Sequence, residues 1–121
     1  MYEIHIEDSF AAGHFLRRYQ GKCENLHGHN YKVNVSFQAD SLDKADLAID
    51  FTVAKKWLKQ ILDVLDHKCL NDLPMFTEDN PSAEKIAKYI YTEYQKLLPA
   101  SVKMTKVKIW ETDRNAVSYW E

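Results

Sequence analysis

Tyr31-Lys32-Val33-Asn34-Val35-Ser36-Phe37-Gln38 alternates apolar and polar side chains without interruption. Successive side chains of an extended chain point to opposite faces, so this segment reads as a strand with one face buried and one wet. Upstream, Tyr2, Ile4 and Ile6 alternate with Glu3, His5 and Glu7 and predict a partner strand. Downstream, the polar stretch Asp40 to Ile49 leads into Phe51, Ala54, Trp57, Leu58, Ile61, Leu62 and Leu65 at helical spacing. This predicts a helix over roughly Thr52 to Leu65, with Asp50 or Thr52 as its cap. A second helix is expected to open at Asn80-Pro81-Ser82-Ala83-Glu84, with the proline in its first turn, and to run through Ile86, Ile90, Tyr94 and Leu97 to Pro99. Alternation then returns. Val107, Ile109 and Glu111 share one face of a third strand, and Ala116 to Trp120 form a fourth after the turn Thr112-Asp113-Arg114-Asn115. The order ββααββ implies an α+β layer fold, a four-stranded antiparallel sheet with two helices on one face.

With 121 residues, the chain has enough length for one core and little for a second, so a single domain over 1–121 is expected. Sixteen basic against eighteen acidic residues give a net charge of −2. That balance offers no electrostatic footprint for nucleic acid or an anionic membrane. No apolar run is long enough to span a bilayer, and the polar-apolar alternation of the first ten residues is unlike a signal peptide. A cytoplasmic setting is expected, in which Cys23 and Cys69 remain free thiols.

Chemistry concentrates in Cys23-Glu24-Asn25-Leu26-His27-Gly28-His29, read together with His14, because only five histidines exist in the chain. In an extended segment His27 and His29 face one side, and Gly28 between them permits close approach. With His14 they make a three-imidazole set. Three neutral nitrogens without a fourth protein ligand suit a Zn²⁺ that keeps a position open, the arrangement of a catalytic site. A second signal is Asp66-His67-Lys68-Cys69-Leu70-Asn71, where a carboxylate beside an imidazole can set its tautomer and stabilise its protonated form. The plainer reading of His67 is a cation meeting the free carbonyls of a helix C-terminus. Cys69, beside Leu70, is assigned no role.

The ordered set Phe10-x-x-x-His14, Cys23-x-x-x-His27-x-His29, Asp66-His67-x-x-Leu70-Asn71, Asn80-Pro81-Ser82-x-Glu84 and Trp110-Glu111-Thr112 resembles the 6-pyruvoyltetrahydropterin synthase family over nearly the whole chain. Within it, the three residues between Cys23 and the His-Gly-His resemble the bacterial 6-carboxy-5,6,7,8-tetrahydropterin synthase branch, the pyruvoyl branch having a longer spacer. One departure is the Ala12-Gly13 pair before His14, which implies a looser backbone there. The resemblance implies a tunnelling fold, whose trimers close a twelve-stranded β-barrel and stack in pairs into a homohexamer. It makes His14, His27 and His29 the zinc ligands and Cys23 the proton-transferring base. It also implies that Asp66 and His67 complete the site from a neighbouring subunit, and that Glu111, with Thr112 beside it, binds the pterin. A carboxylate suits that task because it can accept two parallel hydrogen bonds from a 2-amino-4-oxopyrimidine edge.

The implied reaction converts 7,8-dihydroneopterin triphosphate to 6-carboxytetrahydropterin, acetaldehyde and triphosphate on the route to queuosine. Arg17, Arg18 and Lys22 are the nearest basic cluster for the triphosphate and equally a solvated loop. Competing readings are a pyruvoyl-type or folate-bypass enzyme, a non-catalytic zinc-stabilised assembly protein, and a zinc hydrolase with Glu24 as base.

Overall fold

The computed structural model describes residues 1–121. Four strands and two helices follow the expected ββααββ order: β1 (Tyr2–His14), β2 (His27–Ala39), α1 (Phe51–Leu65), α2 (Ala83–Gln95), β3 (Lys103–Trp110) and β4 (Ala116–Tyr119). The strands form one antiparallel sheet in the order β1-β2-β3-β4, so β1 and β4 are its two edges. Both long strands exceed the alternating stretches that predict them. β1 continues to His14 because Phe10, Ala12 and His14 prolong the inward-facing set, and β2 starts at His27 because it pairs with that extension, His14 opposite His27 and Tyr2 opposite Ala39.

β3 begins four residues earlier than its alternation predicts. Met104 and Val107 are both buried though three positions apart, which a flat strand cannot arrange. Ser36 lies opposite Lys106 and Phe37 opposite Met104, leaving Thr105 as an extra residue in a β-bulge that absorbs the change of phase. Glu111 falls just past the end of β3 rather than inside it, and its N–H donates to the Asn115 carbonyl across the turn.

The inward face of the sheet, including Ile6, Phe10, Tyr31, Val33, Val35, Phe37, Val107 and Ile109, packs against Leu58, Leu62 and Leu65 of α1 and Ile86, Ile90 and Tyr94 of α2. The helices are joined by the Tyr94 hydroxyl, which donates to the Ala54 carbonyl at 2.9 Å. Asp50 caps α1 by accepting from Thr52 N at 2.8 Å, an interaction worth about 1 kcal/mol. Ser82 caps α2, so Pro81 stands outside the helix rather than in its first turn, and the helix stops at Gln95 rather than Pro99. No helix is long and apolar enough to cross a membrane.

Candidate active site

The three histidines sit at one end of the β1-β2 pair on the face that carries the core. The register places His14 directly opposite His27, and alternation places His29 two positions along on the same face. One ligand nitrogen from each lies within 4.8 Å of the others. Their neighbours orient them. His14 Nδ1 donates to the Pro81 carbonyl at 2.7 Å and His27 Nδ1 to the Asn25 carbonyl at 2.7 Å, which leaves the Nε2 lone pair of each neutral ring free. His14 is only 2 % exposed, and the buried Nε2 atoms of His14 and His29 have no hydrogen-bond partner.

Burial pushes the His14 imidazolium pKa down, opposed by the Pro81 hydrogen bond and by Glu111. Burial likewise lowers His29, again against Glu111. These rings are held neutral, the form that ligates metal. Two unpartnered buried nitrogens aimed into one space, with the opposite nitrogen of His14 fixed by a carbonyl, fit a divalent zinc ion and lack any other evident use.

The Glu111 carboxylate stands beside this group, 3.5 Å from His29 Nε2 and 3.8 Å from His14 Nε2, too far for strong hydrogen bonds. Glu111 also lines a cavity of about 200 Å³ with Ala83, Glu84, Asn115, Ala116 and Val117. Glu84 went without a role in the sequence reading. The signal was there in Asn80-Pro81-Ser82-x-Glu84, which places a second carboxylate in the first turn of α2 facing the same cavity. Thr112 is turned elsewhere: its hydroxyl accepts from Arg114 N and Asn115 N, and it lines a separate small hollow with Asn30, Lys32, Trp110 and Asp113.

Asp66 and His67 lie outside the histidine group, on the free edge of β1. Asp66 ends α1, and His67 follows at φ 57°, the left-handed conformation usual after a helix but uncommon for a residue with a side chain. That turn lays the loop along the strand: His67 N donates to Ala11 O, Gly13 N donates to Lys68 O, and Cys69 bridges Gly13 in parallel. The Asp66 carboxylate accepts from Ala11 N at 2.9 Å and pairs with His67 Nδ1 at 2.9 Å. The Ala11 N–H, then His67, hold its pKa below the ordinary carboxylate value. The His67 side chain is 81 % exposed and faces an open cleft of about 450 Å³, floored by the opposed Gly13 and Gly28.

Cys23 sits half-buried in a short 3-10 turn, Lys22–Glu24, and no hydrogen bond joins it to Asp66 or His67 of the same chain. Of the basic cluster, Arg17 is already engaged. Its guanidinium donates to the carbonyls of Phe76 at 2.8 Å and Asp79 at 3.1 Å, and more weakly to that of Asn71. It therefore acts as an internal tie, and an anion would have to be met by other cations.

Residues 3–121 match the family model described as 6-pyruvoyl tetrahydropterin synthase. The chain belongs to that family. It is 40 % identical to the 6-pyruvoyl tetrahydrobiopterin synthase of Homo sapiens over 82 % of this chain and 70 % of that protein. It is 34 % identical to the 6-carboxy-5,6,7,8-tetrahydropterin synthase of a Synechocystis strain, over 99 % of this chain and 94 % of the relative. Among solved structures it is similar to the Caenorhabditis elegans 6-pyruvoyl tetrahydropterin synthase, with a TM-score of 0.89 at 27 % identity over 99 % of this chain and 95 % of that one. Family membership makes the chain a tetrahydropterin-synthase-type enzyme with lyase-type chemistry.

Proposed function

We propose that the chain is a zinc-dependent 6-carboxy-5,6,7,8-tetrahydropterin synthase, releasing acetaldehyde and triphosphate from 7,8-dihydroneopterin triphosphate in queuosine formation. The observation that carries the metal part is the pair of buried, unpartnered Nε2 atoms on His14 and His29 beside His27. His14, His27 and His29 would hold the ion, which when bound supplies Lewis acidity toward substrate oxygens.

The remaining work falls to the chain's own groups. Glu111 accepts the paired N–H groups of the pterin edge, and Glu84 adds negative charge to the same small cavity. Cys23 takes a proton from the substrate side chain and returns one. Asp66 binds His67 through Nδ1, which leaves Nε2 of that ring as the proton-carrying atom. Because His67 stands exposed on a strand edge and makes no bond to Cys23, the working pair is read as shared between subunits. Two open sheet edges favour association into the barrel-forming hexamer, since unpaired edge groups need cover.

A second reading, a 6-pyruvoyl-type synthase, is favoured by the 40 % identity to the human relative. The two share metal and pterin sites and differ in the fate of the side chain. Incubation with dihydroneopterin triphosphate followed by mass analysis decides between them. The carboxy reading expects 6-carboxytetrahydropterin with acetaldehyde in equal amount. A product that retains its three-carbon side chain overturns it.

A further inference from the structure

Between His14 and Cys23, both assigned roles by the proposed function, runs a segment that belongs to no sheet yet is bonded as if it did. Asn71 Oδ1 accepts from Phe15 N at 3.0 Å while Asn71 Nδ2 donates to Phe15 O at 3.0 Å. Two residues on, Asn80 Oδ1 accepts from Arg17 N at 2.7 Å and Asn80 Nδ2 donates to Arg17 O at 2.9 Å. In an antiparallel ladder alternate residues exchange both N–H···O bonds with the residue opposite. Each carboxamide therefore stands in for one residue of a missing neighbour strand. On the other edge, Leu16 N donates to Cys23 O at 2.7 Å.

The same residues reach the metal-binding group. Asn80 is followed by Pro81, whose carbonyl fixes the His14 ring. The Arg17 guanidinium closes the circuit by donating to the carbonyls of Phe76, Asp79 and Asn71, so the segments bearing the two asparagines are tied to the strand they clamp. Asn71 is 4 % exposed, and a carboxamide with both ends bonded at that depth has no solvent role.

We propose that Asn71 and Asn80 are positioning residues that carry β1 past its last sheet pair and so fix His14 and the Cys23 turn relative to each other. The inference rests on the proposed roles of His14 and Cys23, and it predicts what a generic loss of stability would not. Outer partners of metal ligands typically change metal affinity about 10–100-fold, and that range is expected for Asn80→Ala, with a smaller loss for Asn71→Ala. Loss of two hydrogen bonds per variant should also speed alkylation of Cys23 in the zinc-free protein about tenfold.

The test uses the full chain, with zinc affinity measured by competition against a chromogenic chelator and alkylation by iodoacetamide read by mass spectrometry at the Cys23 peptide. Tyr94→Phe, which removes the distant bond to Ala54, provides a destabilised control. Asn80→Asp keeps the acceptor and loses the donor; it should fall between wild type and Asn80→Ala, and it carries the test should the alanine variant fail to fold. Zinc affinity and Cys23 alkylation that match the Tyr94→Phe control would overturn the clamp. A wild-type chain with no zinc affinity would instead overturn the metal reading, and the alkylation arm, run without metal, would still decide the clamp.

Discussion

The histidine group and the Asp66–His67 pair are built from the same chemistry on opposite terms. His14 is 2 % exposed and held by a carbonyl, and it meets His27 and His29 within one chain. His67 is 81 % exposed in the loop that lies along the edge of β1, in an uncommon backbone conformation, with only Asp66 to direct its ring. The first is preorganised within a single chain. Under the proposed function the second is half of a site, oriented but completed only by a neighbouring chain. The contrast teaches that metal binding should survive isolation of a subunit, whereas turnover should not.

The largest effect should come from breaking the complete half. His27→Ala is expected to remove the bound zinc, about one ion per chain in the wild type, and to abolish turnover; elemental analysis and product assay read the two together. Unchanged zinc in that variant, or in His14→Ala, rules out the ligand assignment. Next in size, Cys23→Ala should keep zinc and fold while turnover falls about 10²–10⁴-fold, the usual contribution of a general base. Full activity there removes Cys23 from the chemistry.

The incomplete half is tested by mixing. Inactive Cys23→Ala and inactive His67→Ala chains, unfolded and refolded together, should regain part of the activity, because some interfaces then pair an intact Cys23 with an intact His67. Separately refolded controls should stay inactive. A dead mixture in which sizing shows mixed oligomers would place both groups' action within one chain.

Smaller still is the effect on stability. His67→Gly should raise unfolding stability by about 1 kcal/mol, since glycine meets no side-chain clash at φ 57°, while activity is lost. Denaturant unfolding checks the first and the product assay the second. A destabilised variant would show that the ring's contact with Asp66 outweighs the strain. The least effect concerns acid. The Asp66 pKa is lowered in the folded chain, so the unfolded chain binds more protons as pH falls toward that value; the stability this provides is present above the ordinary carboxyl pKa and lost below it. Asp66→Asn should flatten the acid limb of a stability-pH curve, and an unchanged limb would remove Asp66 from it.

Much of the architecture was legible because its signals are local. Alternation in Tyr31 to Gln38 and helical spacing from Phe51 to Leu65 reflect which face is buried, and burial decides both elements. The far half of β1 was hidden by Asp8, a polar residue at an inward position between Ile6 and Phe10 that interrupts the pattern although pairing with β2 continues through it. The start of β3 was hidden by the phase change at Thr105. At the site, the histidine group could be read from i and i+2 spacing plus one distant ligand. The engagement of Arg17 could not, because its carbonyl partners lie 54 to 62 positions away and a basic residue in a loop carries no mark of them. The resemblance to known pterin enzymes supplied what spacing alone left open, above all the pterin-binding role proposed for Glu111.

Thr105 has a consequence for how the chain tolerates change. As an additional unit within β3 it is a surplus residue: remove it, and Met104 and Lys106 become neighbours opposite Phe37 and Ser36, a regular ladder in which Met104 and Val107 still face inward. The pairing from Lys106 to Trp110, and with it the place of Glu111 beside the histidines, would stand. Loss of one residue at the bulge would thus be absorbed, whereas loss of one between Lys106 and Trp110, where every residue is paired one to one with β2, would shift the address of Glu111 and carry its carboxylate away from the histidines.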